Sequence, residues 1–296
     1  MCGIVGLFLK DQSLEPQLGR LTAAMLATLS DRGPDSAGFA VYGSGGGGTV
    51  KFTLRGRSPA AVATVVERIK AAFAGTTATH HDTHVVVAIP GGDADGLATW
   101  LASEAPEIDV VGRGQRMELY KEVGRPETVA ERFDLARMTG THAIGHTRMA
   151  TESAVTTDGA HPYSTGPDQC LVHNGSLSNH NNLRRILRRE GFGFETENDT
   201  EVAAAYLSWK MRGGVSLGEA LQGSLADIDG FYTFVVGTEN GFGVLRDGIA
   251  CKPAVMAETD RYVAFGSEYR ALAVLPDIAK ARVWEPEPST VYFWER

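Results

Sequence analysis

The sequence begins with a cysteine whose position would suit a catalytic nucleophile. Cys2 follows Met1, and a small second residue permits removal of the initiator methionine. The α-amino group then left on Cys2 would titrate near ~7.7–8 if unperturbed, so at neutral pH it could act as general base for its own thiol. A cysteine is more often a small buried hydrophobic residue, which here would belong to the first strand. Cys2 alone leaves both interpretations open.

Two adjacent residues in the motif HNG could donate hydrogen bonds to the oxyanion that forms when an amide is attacked. Asn174 offers its side-chain amide, and Gly175 offers a backbone N–H that no side chain obstructs. Asn-Gly is also a strong hairpin-turn signal, and in isolation it favours that structural interpretation. The two roles are compatible, because a tight turn at a strand end can present such donors.

Two charged residues have the chemistry to hold the zwitterionic head of an amino acid. Arg148, in GHTRMAT, can form a bidentate pair with an α-carboxylate, and Asp199, in NDTEV, can accept from an α-ammonium group. Taken singly, Arg148 is more simply a structural ion-pair residue and Asp199 a helix N-cap. The segment RGPD, which contains Arg32, is by its composition only a turn.

The hydrophobic pattern indicates the elements that would position these residues. IVGLFL is typical of a buried strand, and apolar residues at three- to four-residue steps predict a helix over 16–30. Asp199 is expected to cap its helix. The remaining predicted elements are a strand running into a loop at 141–151, a strand ending in a turn at 169–175, helices at 179–191 and 199–211, and several β segments after residue 230. Helices flanking two groups of strands favour a layered sandwich.

Residues 50–115 interrupt this pattern with an alternation of strand-like and helix-like segments of their own. The alternation predicts a small α/β insert with its own layer of helices. It is bounded by a glycine run on one side and by GRGQR on the other. The glycine run predicts a loop rather than a nucleotide-binding fingerprint, because no helix opens after it. The insert is interpreted either as a surface elaboration or as a docking platform for partner subunits.

Composition excludes several classes of function. The chain has 296 residues, 43% hydrophobic and 22% charged, with a formal net charge of −8. This charge argues against nucleic acid or an anionic membrane surface as the main partner. No apolar run approaches the ~18 residues of a membrane span, and the start lacks the basic region of a signal peptide. The expected compartment is therefore the cytoplasm.

The cysteines and histidines do not predict a metal or cofactor in this chain. Cys2, Cys170 and Cys251 are too few and too scattered for a disulfide framework or a zinc site. The segment THHDTH contains three histidines, but no cysteine or carboxylate cluster at ligand spacing completes it. It is predicted to be a solvated loop.

In combination, the motifs point to one family. MCGIVG, RGPDSAG, GHTRMAT, AHP, HNG and NDTEV occur in this order, and the set resembles the class II, N-terminal-nucleophile (Ntn) glutamine amidotransferases. The resemblance implies an α+β fold, an αββα four-layer sandwich of two antiparallel sheets, formed by residues 1–296 with the insert at 50–115. It also implies a glutaminase in which Cys2 is the nucleophile and Asn174 and Gly175 form the oxyanion hole.

The resemblance also assigns the residues that bind the substrate. By motif match, Arg148 would bind the glutamine carboxylate with Thr151 beside it, Asp199 would hold the amine, and Arg32 would organise the site around the nucleophile. The sequence departs from many relatives at two positions after the GHTR arginine, where an aromatic residue and a histidine are replaced by Met149 and Glu152. These departures leave the nucleophile machinery intact but put the substrate's identity in question.

The chain is most similar to the amidotransferase subunits of glutamate-synthase-like complexes, such as that of N-methylglutamate synthase, and to GlxB-type proteins. This implies a hetero-oligomer in which a separate synthase subunit consumes the ammonia, with FMN and an iron–sulfur cluster held by partner subunits rather than by this chain. Two alternatives remain: an Ntn amidohydrolase acting on a γ-glutamyl alkylamide, and a non-catalytic scaffold subunit.

Overall fold

The computed structural model describes residues 2–150 and 154–296. Its strands are β1 (Gly3–Leu9), β2 (Ser36–Tyr42), β3 (Thr49–Arg55), β4 (Thr77–His81), β5 (His84–Pro90), β6 (Asp109–Gly114), β7 (Met117–Val123), β8 (His142–Arg148), β9 (Tyr163–Gly166), β10 (Gln169–Leu177), β11 (Gly230–Gly237), β12 (Gly241–Arg246), β13 (Val255–Glu258), β14 (Tyr262–Gly266), β15 (Arg282–Trp284) and β16 (Thr290–Glu295). Its α-helices are α1 (Leu18–Thr28), α2 (Pro59–Ala72), α3 (Ala94–Glu104), α4 (Pro126–Arg132), α5 (His180–Arg189), α6 (Asp199–Arg212), α7 (Leu217–Asp227) and α8 (Tyr269–Leu272).

Two antiparallel sheets form the centre of the molecule. One has seven strands in the order β15-β13-β14-β1-β8-β2-β7, and the other has five in the order β16-β12-β11-β10-β9. The helices α1, α4 and α8 cover the outer face of the first sheet, and α5, α6 and α7 cover the outer face of the second. The architecture is the four-layer αββα sandwich that the resemblance implies.

The first strand shows why its sequence is almost continuously apolar. Val5 and Leu7 of β1 face the core beneath α1, whereas Ile4 and Phe8 face the core between the two sheets. Every residue of β1 is buried, because both of its faces are covered. This is the packing that an uninterrupted apolar run predicts. β1 pairs with β8 and β14, so its first residues begin at the centre of the seven-stranded sheet.

Residues 49–114 form a third, four-stranded antiparallel sheet in the order β4-β5-β3-β6. The chain order is β-α-β-β-α-β, the split βαβ arrangement of ferredoxin-like folds. The helices α2 and α3 cover one face and enclose a separate apolar core. On the other face, Val86 packs into the core that also contains Tyr120 of β7 and Phe133, so the insert rests against the edge of the sandwich.

The prediction of a solvated loop for THHDTH is right only in part, because Thr79, His80 and Asp82 are exposed but Thr83 and His84 are buried. Its residues form the hairpin between β4 and β5, with Asp82 in a left-handed conformation at the turn. His84 is completely buried, and its ring lies 4.6 Å from that of Phe133 and 5.8 Å from that of Tyr120. The segment is polar in sequence, but the core beneath the insert accepts one of its histidines.

Within the part of the chain that the structure describes, no helix is both long enough and apolar enough to cross a membrane. The three cysteines are free thiols: Cys170 is buried, Cys251 is exposed, and Cys2 is partly accessible.

Candidate active site

A cleft of about 560 Å³ opens where the start of β1, the end of β8, the middle of β10 and the start of α6 come together. The predicted site residues that line it are Cys2, Arg148, Asn174, Gly175 and Asp199. These residues are widely separated in sequence, and the two central sheets and one helix each contribute some of them. Thr151 lies outside the described residues. Arg32 does not line the cleft but contacts Cys2 from behind.

Two side chains hold the backbone of Cys2. Arg32 Nε donates to the carbonyl oxygen of Cys2 at 3.0 Å, and Asn174 Nδ2 donates to the same oxygen at 3.1 Å. Cys2 Sγ lies 3.8 Å from the carbonyl oxygen of Met149. The residue before β1 is therefore held at its carbonyl end while its side chain stays partly accessible in the cleft.

The sequence argument did not identify the residues that orient Arg32 and the start of β1. Arg32 Nη1 pairs with Glu268 Oε1 at 2.5 Å, and the hydrogen bond from Arg32 is the main cause of the lowered pKa of Glu268. Ser267 Oγ accepts from the backbone N–H of Ile4 at 2.9 Å and from Asn174 Nδ2 at 3.3 Å. Both residues belong to the segment FGSE (265–268), to which the sequence analysis assigns no role.

Asn174 and Gly175 do not form the predicted hairpin turn. They lie inside β10, which continues to Leu177, and pair with Thr233 and Tyr232 of β11. Gly175 has φ +147°, and a Cβ there would lie 1.9 Å from the carbonyl oxygen of Phe231. Only glycine fits this close approach. Asn174 and Gly175 therefore lie in a locally distorted strand and not at its end.

The RGPD segment (32–35) packs against the end of β8, whose last residue is Arg148. The backbone N–H of Asp35 donates to the carbonyl oxygen of Arg148 at 3.1 Å, and the N–H of Ala150 donates to Asp35 Oδ2 at 2.8 Å. A Cβ at Gly33 would lie 2.3 Å from the backbone carbon of Thr147, so the turn packs directly on β8. Arg148 itself is only 7% exposed.

The prediction that Asp199 caps its helix is wrong. The N-cap of α6 is Asn198, whose side chain accepts from the backbone N–H of Thr200 at 2.9 Å. Asp199 Oδ2 instead accepts from the backbone N–H of Leu177 at 2.9 Å, which ties the start of α6 to the end of β10. The side chain keeps 23% of its surface exposed and lines the cleft. The carboxylate of Asp199 therefore lies at the cleft, with Oδ2 held by Leu177 and Oδ1 3.4 Å from Thr200 Oγ1.

Three buried histidines lie at the floor of the cleft, of which His161 and His173 line it, and none was singled out from the sequence. His161 Nε2 and His173 Nδ1 lie 2.7 Å and 2.9 Å from Thr200 Oγ1, and the rings of His146 and His161 stack with centroids 4.0 Å apart. Burial lowers the pKa of all three, to about 3 for His146. At neutral pH they are therefore uncharged rings that support the cleft floor.

The buried histidines should make stability depend on pH. Burial also lowers the pKa of His84 and of His142 to about 3. An unfolded histidine titrates near ~6.5, so below this pH the unfolded chain binds more protons and the folded state loses stability. The free energy of unfolding keeps its full value above about pH 6.5. Below this pH we expect it to fall by up to about 1.4 kcal/mol per pH unit for each buried histidine.

Urea unfolding at about pH 7.5 and about pH 5.5 checks this expectation. Replacing His142 with glutamine should make the pH dependence shallower, whereas the same change at the exposed His80 should leave it unaltered. An unfolding free energy that is equal at the two pH values would contradict the assignment of these rings as buried and neutral.

Comparisons with known proteins identify the family to which the chain is similar. The model of a family described as a glutamine amidotransferase domain matches residues 146–274. The glutamine amidotransferase-like protein GlxB of Rhizobium meliloti (strain 1021) is 63% identical over 297 residues, covering 100% of this chain and 98% of that protein. A protein of Methanothermobacter thermautotrophicus is 34% identical over 304 residues, covering 99% of each chain.

A solved structure shares the fold. Glutamine phosphoribosylpyrophosphate amidotransferase from B. subtilis aligns with 99% of this chain and 47% of its own, with a TM-score of 0.63 and 20% sequence identity. At this level of identity the likeness concerns the architecture, and it agrees with the αββα sandwich described above.

Proposed function

Because the chain belongs to the class II glutamine amidotransferase family, we propose that it hydrolyses L-glutamine to glutamate and ammonia through a thioester on Cys2. The observation that carries the proposal is the composition of the cleft. A thiol, a cation and an anion line one cavity: Cys2, Arg148 and Asp199. A thiol suits attack on an amide, and the opposite charges suit the carboxylate and ammonium groups of an amino acid.

The proposed reaction starts with removal of Met1, which leaves the α-amino group of Cys2 free. This amine takes the thiol proton as Sγ attacks the side-chain carbonyl carbon of glutamine, and a tetrahedral oxyanion forms. The intermediate collapses when the C–N bond breaks and the amine returns the proton to the departing ammonia. Water then attacks the γ-glutamyl thioester, which releases glutamate and restores the thiol.

Asn174 and Gly175 are proposed to stabilise the oxyanion. Asn174 Nδ2 donates to the carbonyl oxygen of Cys2 and to Ser267 Oγ, and would turn one N–H toward the substrate. Gly175 would add its backbone N–H from a position where no side chain can intervene. Arg32 continues to hold the carbonyl of Cys2, so the nucleophile stays in place while Asn174 changes partner.

Arg148 and Asp199, the two residues proposed to bind the charged groups of glutamine, are called the charged clamp here. This proposal makes a direct prediction for Asp199. Asp199→Asn keeps an oxygen that can accept from the N–H of Leu177 but removes the negative charge. Since a hydrogen bond to a charged group contributes about 1.5–3 kcal/mol, we expect KM for glutamine to rise about 10- to 100-fold with a smaller change in kcat. Steady-state kinetics check this, with Asp31→Asn, at an 82% exposed carboxylate, as the matched charge control. An unchanged KM would remove Asp199 from substrate binding.

The proposed substrate is tested by comparing ammonia release from L-glutamine with release from amides that lack one charged group. In N-acetylglutamine the amino group is acylated and uncharged, and glutaramic acid has no amino group but keeps the carboxylate, so both lack the partner of Asp199 and should react far more slowly. A γ-glutamyl alkylamide such as γ-glutamylmethylamide fits the same clamp, and a higher kcat/KM for it than for glutamine would favour the amidohydrolase alternative. No reaction with any of these amides, with native partners present, would favour a scaffold role.

We further propose that a separate synthase subunit consumes the ammonia, as in glutamate-synthase-like complexes, with N-methylglutamate synthase as one candidate. In this proposal the chain works within a hetero-oligomer, and FMN and an iron–sulfur cluster belong to partner subunits. Purification from the native organism under gentle conditions tests it. A flavin absorbance spectrum that co-elutes with this chain is the expected result, and elution of a colourless free subunit with full glutaminase activity would contradict it.

A further inference from the structure

The loop of residues 154–160 forms one wall of the cleft and touches Arg148 at two places. Arg148 Nη1 donates to the carbonyl oxygen of Ala154 at 3.5 Å. A Cβ added to Gly159 would lie 3.5 Å from the same nitrogen, so the backbone of Gly159 packs beside the guanidinium. Ala154 and Gly159 both line the cleft. The position of this loop therefore helps to set the position of the Arg148 side chain.

The insert reaches the same loop through one arginine. Arg55, the last residue of β3, forms ion pairs with Asp158 of the loop and with Asp109 of β6 in the insert. The Arg55 side chain is only 16% exposed, although that of Asp158 is 59% exposed. Asp158 immediately precedes Gly159, so the ion pair acts one residue away from the contact with Arg148.

The loop is also anchored to the edge of the sandwich. The hydroxyl of Thr157 donates to Glu122 of β7, and Lys121 Nζ donates to the carbonyl oxygen of Asp158 at 3.1 Å. Between the insert and the loop lies a crevice of about 400 Å³ whose walls include Arg55 and Asp158. Because the two parts face each other across this crevice, the ion pair provides a direct connection between them.

We propose that Arg55 of the insert is a positioning residue for glutamine binding, because it fixes Asp158 and thereby the loop that orients Arg148. The inference rests on the proposed function, in which Arg148 binds the substrate carboxylate. It gives the insert a role inside the reaction, since the insert is connected to the substrate site through a chain of contacts. Any partner that displaces the insert would then change the affinity for glutamine.

The test is a double-mutant cycle with Arg55→Ala and Asp158→Ala. Partly exposed ion pairs are weak, so each single change should raise KM for glutamine by about 1.5- to 5-fold while kcat stays the same. The double variant should be no worse than the single ones, because both remove the same contact. Arg57→Ala, two residues further on and exposed, is the matched control and should leave KM unaltered.

A second measurement does not depend on turnover. A glutamine-analogue electrophile needs Arg148, whereas iodoacetamide needs only the thiol, so Arg55→Ala should slow labelling of Cys2 by the first reagent alone. Equal slowing by both reagents, additive effects on KM, or no effect on KM would each overturn the proposal. Hydrogen exchange over residues 154–160 tests whether Arg55 holds the loop, independently of the proposed glutaminase function. If the wild-type protein has no glutaminase activity, the proposed function fails, while unchanged exchange in Arg55→Ala shows separately that the insert does not hold the loop.

Discussion

Replacing Cys2 with alanine is expected to lower glutamine hydrolysis by at least about 1,000-fold while leaving the fold intact. The thiol forms the proposed covalent bond to the substrate, whereas the hydrogen bonds that hold Cys2 go to its carbonyl oxygen. Arg32 and Asn174 donate to that oxygen, and alanine keeps it. Alanine is also small enough to permit removal of Met1, so processing should be the same in both proteins.

Ammonia release by the purified variant measures the effect, and thermal unfolding shows whether the fold survives. Cys251→Ala is the matched control, because Cys251 is an exposed free thiol that contributes nothing to the proposed mechanism. We expect it to retain full activity. Wild-type rates in the Cys2 variant would contradict covalent catalysis by this residue and leave the family resemblance as a statement about fold.

Asn174→Ala should lower kcat by about 100- to 1,000-fold with little change in KM, which is the range observed when a single oxyanion-hole donor is removed. The geometry makes this variant interpretable. After the change, Arg32 Nε still donates to the carbonyl oxygen of Cys2, and Ser267 Oγ still accepts from the N–H of Ile4. The nucleophile should therefore stay in position while one donor to the oxyanion is lost.

Single-turnover kinetics with glutamine separate this loss from a slower release of product. Asn240→Ala, at an exposed position in the turn between β11 and β12, is the control and should behave as the wild type. A raised KM at unchanged kcat would instead assign Asn174 to ground-state binding of the substrate.

The sequence predicted the layered fold because its strongest signals are local. The apolar run of β1 and the stripe of α1 are each set by residues a few positions apart, and both appear where they were expected. The prediction of a solvated loop for THHDTH missed the burial of His84, because this burial depends on Phe133 and Tyr120, which the chain brings close only after folding. Local composition carries no information about such contacts.

In the candidate site, too, local sequence signals predict some features, whereas contacts formed only in the folded chain decide others. Motif matching named five residues that the structure brings to one cleft, but local signals misassigned three of them, Asn174, Gly175 and Asp199. Asn-Gly resembles a turn, yet pairing with β11 keeps Asn174 and Gly175 within a strand. The contact between Arg32 and Glu268 joins residues 236 positions apart, so no pattern within either segment could reveal it.

The central claim is that Cys2 is a processed nucleophile for glutamine, and the intact mass of the purified protein tests it most directly. The mass is measured before and after reaction with a glutamine-analogue electrophile, and the labelled peptide is then identified. The account predicts a protein without Met1 that gains one adduct, located on Cys2 and prevented by excess glutamine. Retention of Met1 together with an unlabelled Cys2, even with native partners present, would contradict it.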